Sequence, residues 1–240
     1  MTGLSAARLL AIWERGAGQP AAWRALDLLA AAYPEETPDS LADLSIGERD
    51  ARLLALRETV FGAQLNSLAD CPACGECAEI SFQAGDLTGE GQAARPALEW
   101  SGEGWQVAYR LPSSRDLLAV HGAPLLEARR ALLFGCILSV HQAGQPAPAD
   151  VLPPDALEAL ARQMAEADPL ADVWFALSCP ACEHHWQAPF DVVAYVWSEV
   201  DAWALRILQE VHCLARAYHW SEAEILNLSA GRRQLYLSML

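Results

Sequence analysis

One tetrapeptide occurs twice in this chain and limits what it can fold into. Cys71-Pro72-Ala73-Cys74 returns, letter for letter, as Cys179-Pro180-Ala181-Cys182, roughly a hundred positions later. Two cysteines at i and i+3 on a tight turn place both sulfurs on one side of the backbone, each about 2.3 Å from a common point. The amide N–H groups of the turn point the same way and soften thiolate charge. One such knuckle supplies two ligands, and Zn²⁺ takes four in a tetrahedron. Two knuckles therefore predict one closed four-cysteine site of zinc-ribbon type, with Cys71, Cys74, Cys179 and Cys182 as ligands. Everything between them becomes an insertion.

Other uses of the cysteines stay open at this point. A redox C-x-x-C of thioredoxin type occurs once and opens a helix, whereas here both copies lead into alternating, strand-like sequence. Paired disulfides need an oxidising compartment. Seven cysteines, an odd number, and a start (Met1-Thr2-Gly3-Leu4-Ser5) without a basic region or an apolar run predict a reducing, cytoplasmic setting. Cys77, His184 and His185 lie close enough to the knuckles to replace a ligand. The two Cys-Pro-x-Cys pairs fill the shell without them, so they read as bystanders. Cys136 and Cys213 fall in apolar helical stretches and read as small core residues.

The order of elements predicts a mainly helical α+β protein, with the two distant knuckles forming the ribbon and a helix/hairpin insertion between them. Residues 1–66 form an N-terminal helical region. Helices run over 4–15, from Pro20 through Ala32, and from Ile46 to Phe61, the last opened by the capping box Ser45-Ile46-Gly47-Glu48. Its apolar face is Leu53, Leu56, Val60 and Leu65, with Arg49, Arg52 and Arg57 elsewhere on the surface. Residues 67–84 hold the first knuckle and a strand, Glu79–Gln83. Residues 85–172 are the inserted part. A glycine-rich linker from Gly85 to Arg95 precedes a hairpin over 98–110, with Trp105, Val107 and Tyr109 on one face. A turn at Ser113 or Ser114 follows, then a helix over 124–142 with Leu125, Leu132, Leu133, Cys136, Ile137 and Val140 inward, and a helix over 154–167. Residues 173–190 carry the second knuckle between strands. Residues 191–240 form a C-terminal helix pair, a long helix over 191–219 and one opened near residue 222 by Ser221-Glu222-Ala223-Glu224. Arg232 and Arg233 lie near the end, suited to a helix C-terminus or an acidic surface. Leu44–Arg49 echoes Leu228–Arg233, without the constant spacing of a duplication.

Composition narrows function. A net charge of −15, from 31 acidic against 16 basic residues, repels phosphate backbones and predicts no nucleic-acid partner. The longest apolar run, Leu132 to Val140, is too short to span a bilayer, so no membrane partner is expected. No nucleophile elbow, phosphate loop, dinucleotide fingerprint or zinc-protease motif occurs. A closed four-sulfur site also leaves no position for water. The expectation is a non-enzyme without a small-molecule substrate. A zinc-ribbon regulator touching nucleic acid or polymerase, and a C-x-x-C thiol oxidoreductase, are the alternatives.

Several stretches carry a family likeness: Arg49–Arg57 with Phe61-Gly62 leading into Cys71–Glu76, then Asp168-Pro169-Leu170-Ala171-Asp172 before the second knuckle, then Phe190-Asp191, Trp197-Ser198-Glu199, Val211–Ala215, Tyr218–Leu226 and Arg232–Leu237. Over roughly residues 45–82 and 168–240 the chain resembles the baseplate proteins of contractile-tailed phages and of the related bacterial contractile injection systems. The resemblance implies a non-enzymatic part in structure or assembly, chaperone-like or permanent, with baseplate or hub proteins as partners. It also implies zinc on Cys71, Cys74, Cys179 and Cys182.

Overall fold

The structure, a computed structural model, describes residues 4–87 and 97–240. Met1–Gly3, and the expected linker from Gly85 to Arg95 beyond Leu87, lie outside the described residues.

Local signals set most helix ends. α1 (Ala6–Gly16) starts where the Ser5 hydroxyl accepts from the Arg8 amide, and α2 (Ala21–Ala32) starts after Pro20. α3 (Pro38–Ala42) is capped by Thr37. α4 (Ile46–Phe61) begins at Ser45, whose hydroxyl accepts from the Glu48 amide at 3.1 Å. The Glu48 carboxylate turns instead to Arg52, 3.1 Å away. Gly62, at φ 94°, ends the helix.

β1 (Gln64–Asp70) and β2 (Cys77–Gln83) pair antiparallel and carry the first knuckle at their tip. β1 was not expected. Its Leu65, assigned by spacing to the α4 face, is a strand residue pointing into the same core. After α5 (Ala84–Leu87), β3 (Leu98–Gly102) and β4 (Trp105–Tyr109) form the expected hairpin. Its turn places Glu103 and Gly104 at φ 51° and 81°. α6 (Ser114–Ala119) follows, its Asp116 carboxylate accepting from the Ser113 amide and hydroxyl.

The helix expected over 124–142 is two elements. α7 (Leu125–Cys136) stops at Cys136, and β5 (Ile137–Gln142) pairs with β4, Val107 facing Val140. Ile137 and Val140 are β-branched, and pairing with an open strand edge outweighs helical continuation. Of the residues expected inward, Cys136 and Val140 are buried, but Leu125 is 82% exposed. β6 (Gln145–Pro146) closes a sheet of order β3-β4-β5-β6, and α8 (Pro154–Ala167) supplies Ala156, Leu160 and Met164 to one core with Trp105, Val107 and Tyr109.

β7 (Val173–Ser178) and β8 (His185–Phe190) form a second two-stranded hairpin with the second knuckle at its tip. α9 (Val192–Tyr218) then runs 27 residues, about 40 Å. Its first half buries Val196, Trp197 and Val200 against Ile12, Leu28, Leu53 and Leu54. Its second half holds α10 (Glu222–Leu226) and α11 (Ala230–Leu237) through Val211, Leu214 and Ile225. The last segment is thus two short helices, because Ser229 caps a fresh start by accepting from the Arg232 amide. The fold is α+β and mainly helical.

Three arginines correct the expected surface. Arg49 and Arg57 are 4% and 3% exposed, and Arg233 is 5% exposed. Each has partners. Arg49 donates to Asp50 at 2.8 Å and to Ser114, and Arg57 is bidentate on Glu199 at 2.6 and 2.7 Å. Arg233 donates to Glu210 at 2.9 Å and to the Leu228 carbonyl at 2.7 Å. Only Arg232 of the terminal pair stays exposed. The echo between Leu44–Arg49 and Leu228–Arg233 is therefore physical: a serine cap, then a buried arginine four residues on.

Candidate metal centre

The two knuckles repeat one backbone turn. The Cys71 amide donates to the Glu76 carbonyl (2.8 Å) and the Gly75 amide to the Cys71 carbonyl (2.8 Å). In the second copy the Cys179 amide donates to the His184 carbonyl (2.9 Å) and the Glu183 amide to the Cys179 carbonyl (3.0 Å). Both turns need a left-handed residue after the second cysteine. Gly75 takes it at φ 76°, and Glu183 is forced into it at φ 59°.

The turns bring four sulfurs together across the gap in sequence. All four Sγ atoms lie within 4.8 Å of one another, Cys71 to Cys182 at 3.8 Å and Cys74 to Cys179 at 3.5 Å. A tetrahedron with metal–sulfur bonds of about 2.3 Å has edges of about 3.8 Å, so the spacing fits one metal ion. Among the described residues no other group of three or more Cys, His, Asp or Glu side chains shares such a spacing. The first cysteine of each knuckle is buried and the second is exposed.

Electrostatics makes the same point. Burial pushes the Cys179 thiol up, but the amides of Cys182 and Ala181, with hydrogen bonds from Cys74 and Cys182, bring it down to about 7. At Cys74 the Glu76 amide pulls down, yet the bonds to the Cys182 and Cys179 sulfurs hold the proton and carry the group up to about 12. Cys182 is raised as well, despite the His184 amide. One thiolate suppresses the ionisation of its neighbours, and a bound cation would offset that repulsion.

Side chains behind the knuckles fix the two hairpins on the helical core. Phe82 of β2, Phe175 of β7 and Phe190 of β8 meet with ring centres 4.8, 5.2 and 5.5 Å apart. The Tyr195 hydroxyl of α9 accepts from the Asn66 amide at 3.0 Å and donates to the Asn66 carbonyl at 3.1 Å. Arg57 of α4 clamps Glu199 of α9 one turn further on. The second hairpin is approached through Asp168, whose carboxylate accepts from the Gly47 amide at 2.9 Å and so caps α4 from 121 positions away. A Cβ on Gly47 would come within 2.0 Å of Asp168 Oδ1, which is why glycine stands there.

The expected bystanders stand outside the cluster. Cys77 is exposed on β2, opposite Asp70, and its thiol is raised by residual burial and by the carboxylates of Asp70, Glu79 and Glu76. His184 stacks against Trp186 at 6.4 Å, and His185 opens β8 opposite Ser178. Cys136 is fully buried, its thiol pushed up to about 11 by burial, and Cys213 is half-buried. Sequence reasoning did not assign roles to Gly47, Asp168, Tyr195, Arg57 and Glu199. Arg57, Asp168 and Glu199 lie in stretches that carried the family likeness, as charged residues that looked like surface, and Gly47 and Tyr195 each lie two positions before one.

The family model described as T4 bacteriophage base plate protein matches residues 21–194. That range takes in both knuckles and the whole insertion, and it ends at the start of α9. No curated protein and no solved structure matches the chain. Among the described residues no helix is long and apolar enough to cross a membrane.

Proposed function

The chain belongs to the T4 bacteriophage base plate protein family, and from that premise we propose that it is a non-enzymatic structural or assembly protein of a contractile tail or injection-system baseplate, locked by one structural zinc. Cys71, Cys74, Cys179 and Cys182 are the ligands in this account. Zinc suits four thiolates at tetrahedral spacing, where oxygen-seeking ions do not. It closes a loop of about a hundred residues and holds the N-terminal helices against α9. In this proposal residues 67–84 and 173–190 are the ribbon, 85–172 the insertion, 1–66 the helical base and 191–240 the C-terminal helices.

The observation that carries the proposal is the family match across both knuckles, joined to sulfur–sulfur distances of 3.5 and 3.8 Å. A closed site anchors rather than turns over substrate. The partners are baseplate or hub proteins, and the net charge of −15 speaks against nucleic acid. Localisation follows assembly: cytoplasmic first, then in the particle. The test is co-expression with the products of neighbouring tail genes. A complex that survives gel filtration is expected. Failure to associate with any baseplate or hub protein, together with a salt-sensitive shift of nucleic acid, would replace this role with that of a regulator.

A further inference from the structure

Helix α7 begins in a tip that the other described residues do not cover. Leu125 and Leu126 are 82% and 79% exposed, more than any other large apolar side chain among the described residues. Only Cys136, at the far end, is buried. Arg129 and Arg130 stand one turn on from the leucines, exposed, and neither pairs with a carboxylate among the described residues. Arg130 lies over the Phe134 ring at 5.3 Å, which keeps it along the helix. Leucines beside unpaired cations form a docking tip; Glu127 lies on the same turn, exposed, but pairs with neither arginine among the described residues.

The reverse pattern lies on the outer face of β1–β2. Leu68 is 66% exposed, and its cross-strand neighbour is Glu79. Asp70 shares that face two residues on, and Glu76 follows in the knuckle. All three carboxylates are exposed and none pairs with an arginine among the described residues. We propose that the α7 tip of one copy docks on the outer face of the β1–β2 hairpin of a second copy, leucine against leucine and arginine against carboxylate. The two patches differ, so the contact is head-to-tail and builds a ring or a filament. Overall charge of −15 repels two copies elsewhere, which leaves this complementary pair of patches as the favoured approach. The inference needs neither the metal nor the family role.

The experiment is sedimentation of the full chain over a micromolar concentration series. Concentration-dependent association is expected, weakened about tenfold or more by Arg129→Glu with Arg130→Glu, and equally by Leu125→Asp with Leu126→Asp. Adding Glu79→Arg to the arginine double variant restores association, while Glu79→Arg alone weakens it. These positions are exposed, and an unchanged circular dichroism spectrum shows that each variant is folded. A monomer at every concentration overturns the proposal. So does association indifferent to all of these changes, and so does a monomer that pellets with phosphatidylglycerol vesicles through the same arginines, which would assign the tip to a lipid surface.

Discussion

The ribbon and the helical base hold together by different means. At the knuckles few apolar side chains are buried, Cys74 and Cys182 face solvent, and the hairpins are two-stranded with open edges. In the base, Leu28, Leu29, Leu53, Leu54 and Ile12 are buried to 2% or less, and charged groups inside are paired. A two-stranded hairpin is marginal alone. In the proposed account the ribbon depends on a cross-link, and the base on burial. On the proposed zinc site, the contrast teaches where the chain is conditional: order at the knuckles would follow the metal, and order in the helices would not.

The sharpest way to break that contrast is to remove the cross-link. Cys71→Ser or Cys179→Ser, or a strong chelator, is expected to cost the ribbon several kcal/mol. Amide exchange across β1–β2 and β7–β8 should speed up, while α4 and the first half of α9 stay protected. Global unfolding on chelation would merge the two regions into one.

The next largest effect belongs to the base. Arg57→Ala leaves Glu199 half-buried without its partner and frees the Gly62 carbonyl. The expected loss is about 3 kcal/mol, at the low end for a buried pair because Glu199 retains some solvent. Chemical denaturation followed by helix signal measures it. Gly47→Ala comes after, at about 2 kcal/mol, because the added methyl collides with Asp168.

Acid separates the regions by sign. Burial pushes Asp50 up to about 6 against the pull of Arg49, with Asp191 and Asp168 adding to the rise. A raised carboxyl favours its neutral form in the fold. Its contribution is full below about pH 4 and is lost as pH rises through about 6. Relative to Asp50→Asn, the wild-type base should therefore gain on the order of 1–2 kcal/mol on acidification. The ribbon should move the other way, because thiolates take up protons and release metal. Denaturation of both proteins between these pH values, read separately at helix and ribbon, checks the opposition.

The smallest effect compares the knuckles with each other. Glu183 holds a left-handed conformation that Gly75 adopts freely. Glu183→Gly should stabilise the second knuckle by about 0.5 kcal/mol, and Gly75→Ala should weaken the first by about 1 kcal/mol. Competition with a chelator resolves both.

Much of this was legible in the residues. The repeated Cys-Pro-Ala-Cys foretold four sulfurs at one point, and the stripe from Val196 to Leu214 foretold α9, because a turn and a helix face are local patterns. What escaped was set by distant partners. β1 reads Gln64-Leu65-Asn66-Ser67, too polar to announce a strand, and forms because β2 and Tyr195 hold it. Ile137–Gln142 looked helical until β4 offered an edge. Arg49, Arg57 and Arg233 looked like surface charge, and their carboxylates and carbonyls came from the fold.

The claim beneath the contrast is that four of the seven cysteines hold a single ion. Elemental analysis of the purified chain, paired with thiol alkylation, tests it directly. The account predicts about one zinc per chain, with Cys71, Cys74, Cys179 and Cys182 slow to alkylate until the metal is stripped. A chain free of metal, with all four of those thiols reacting at once, would contradict it.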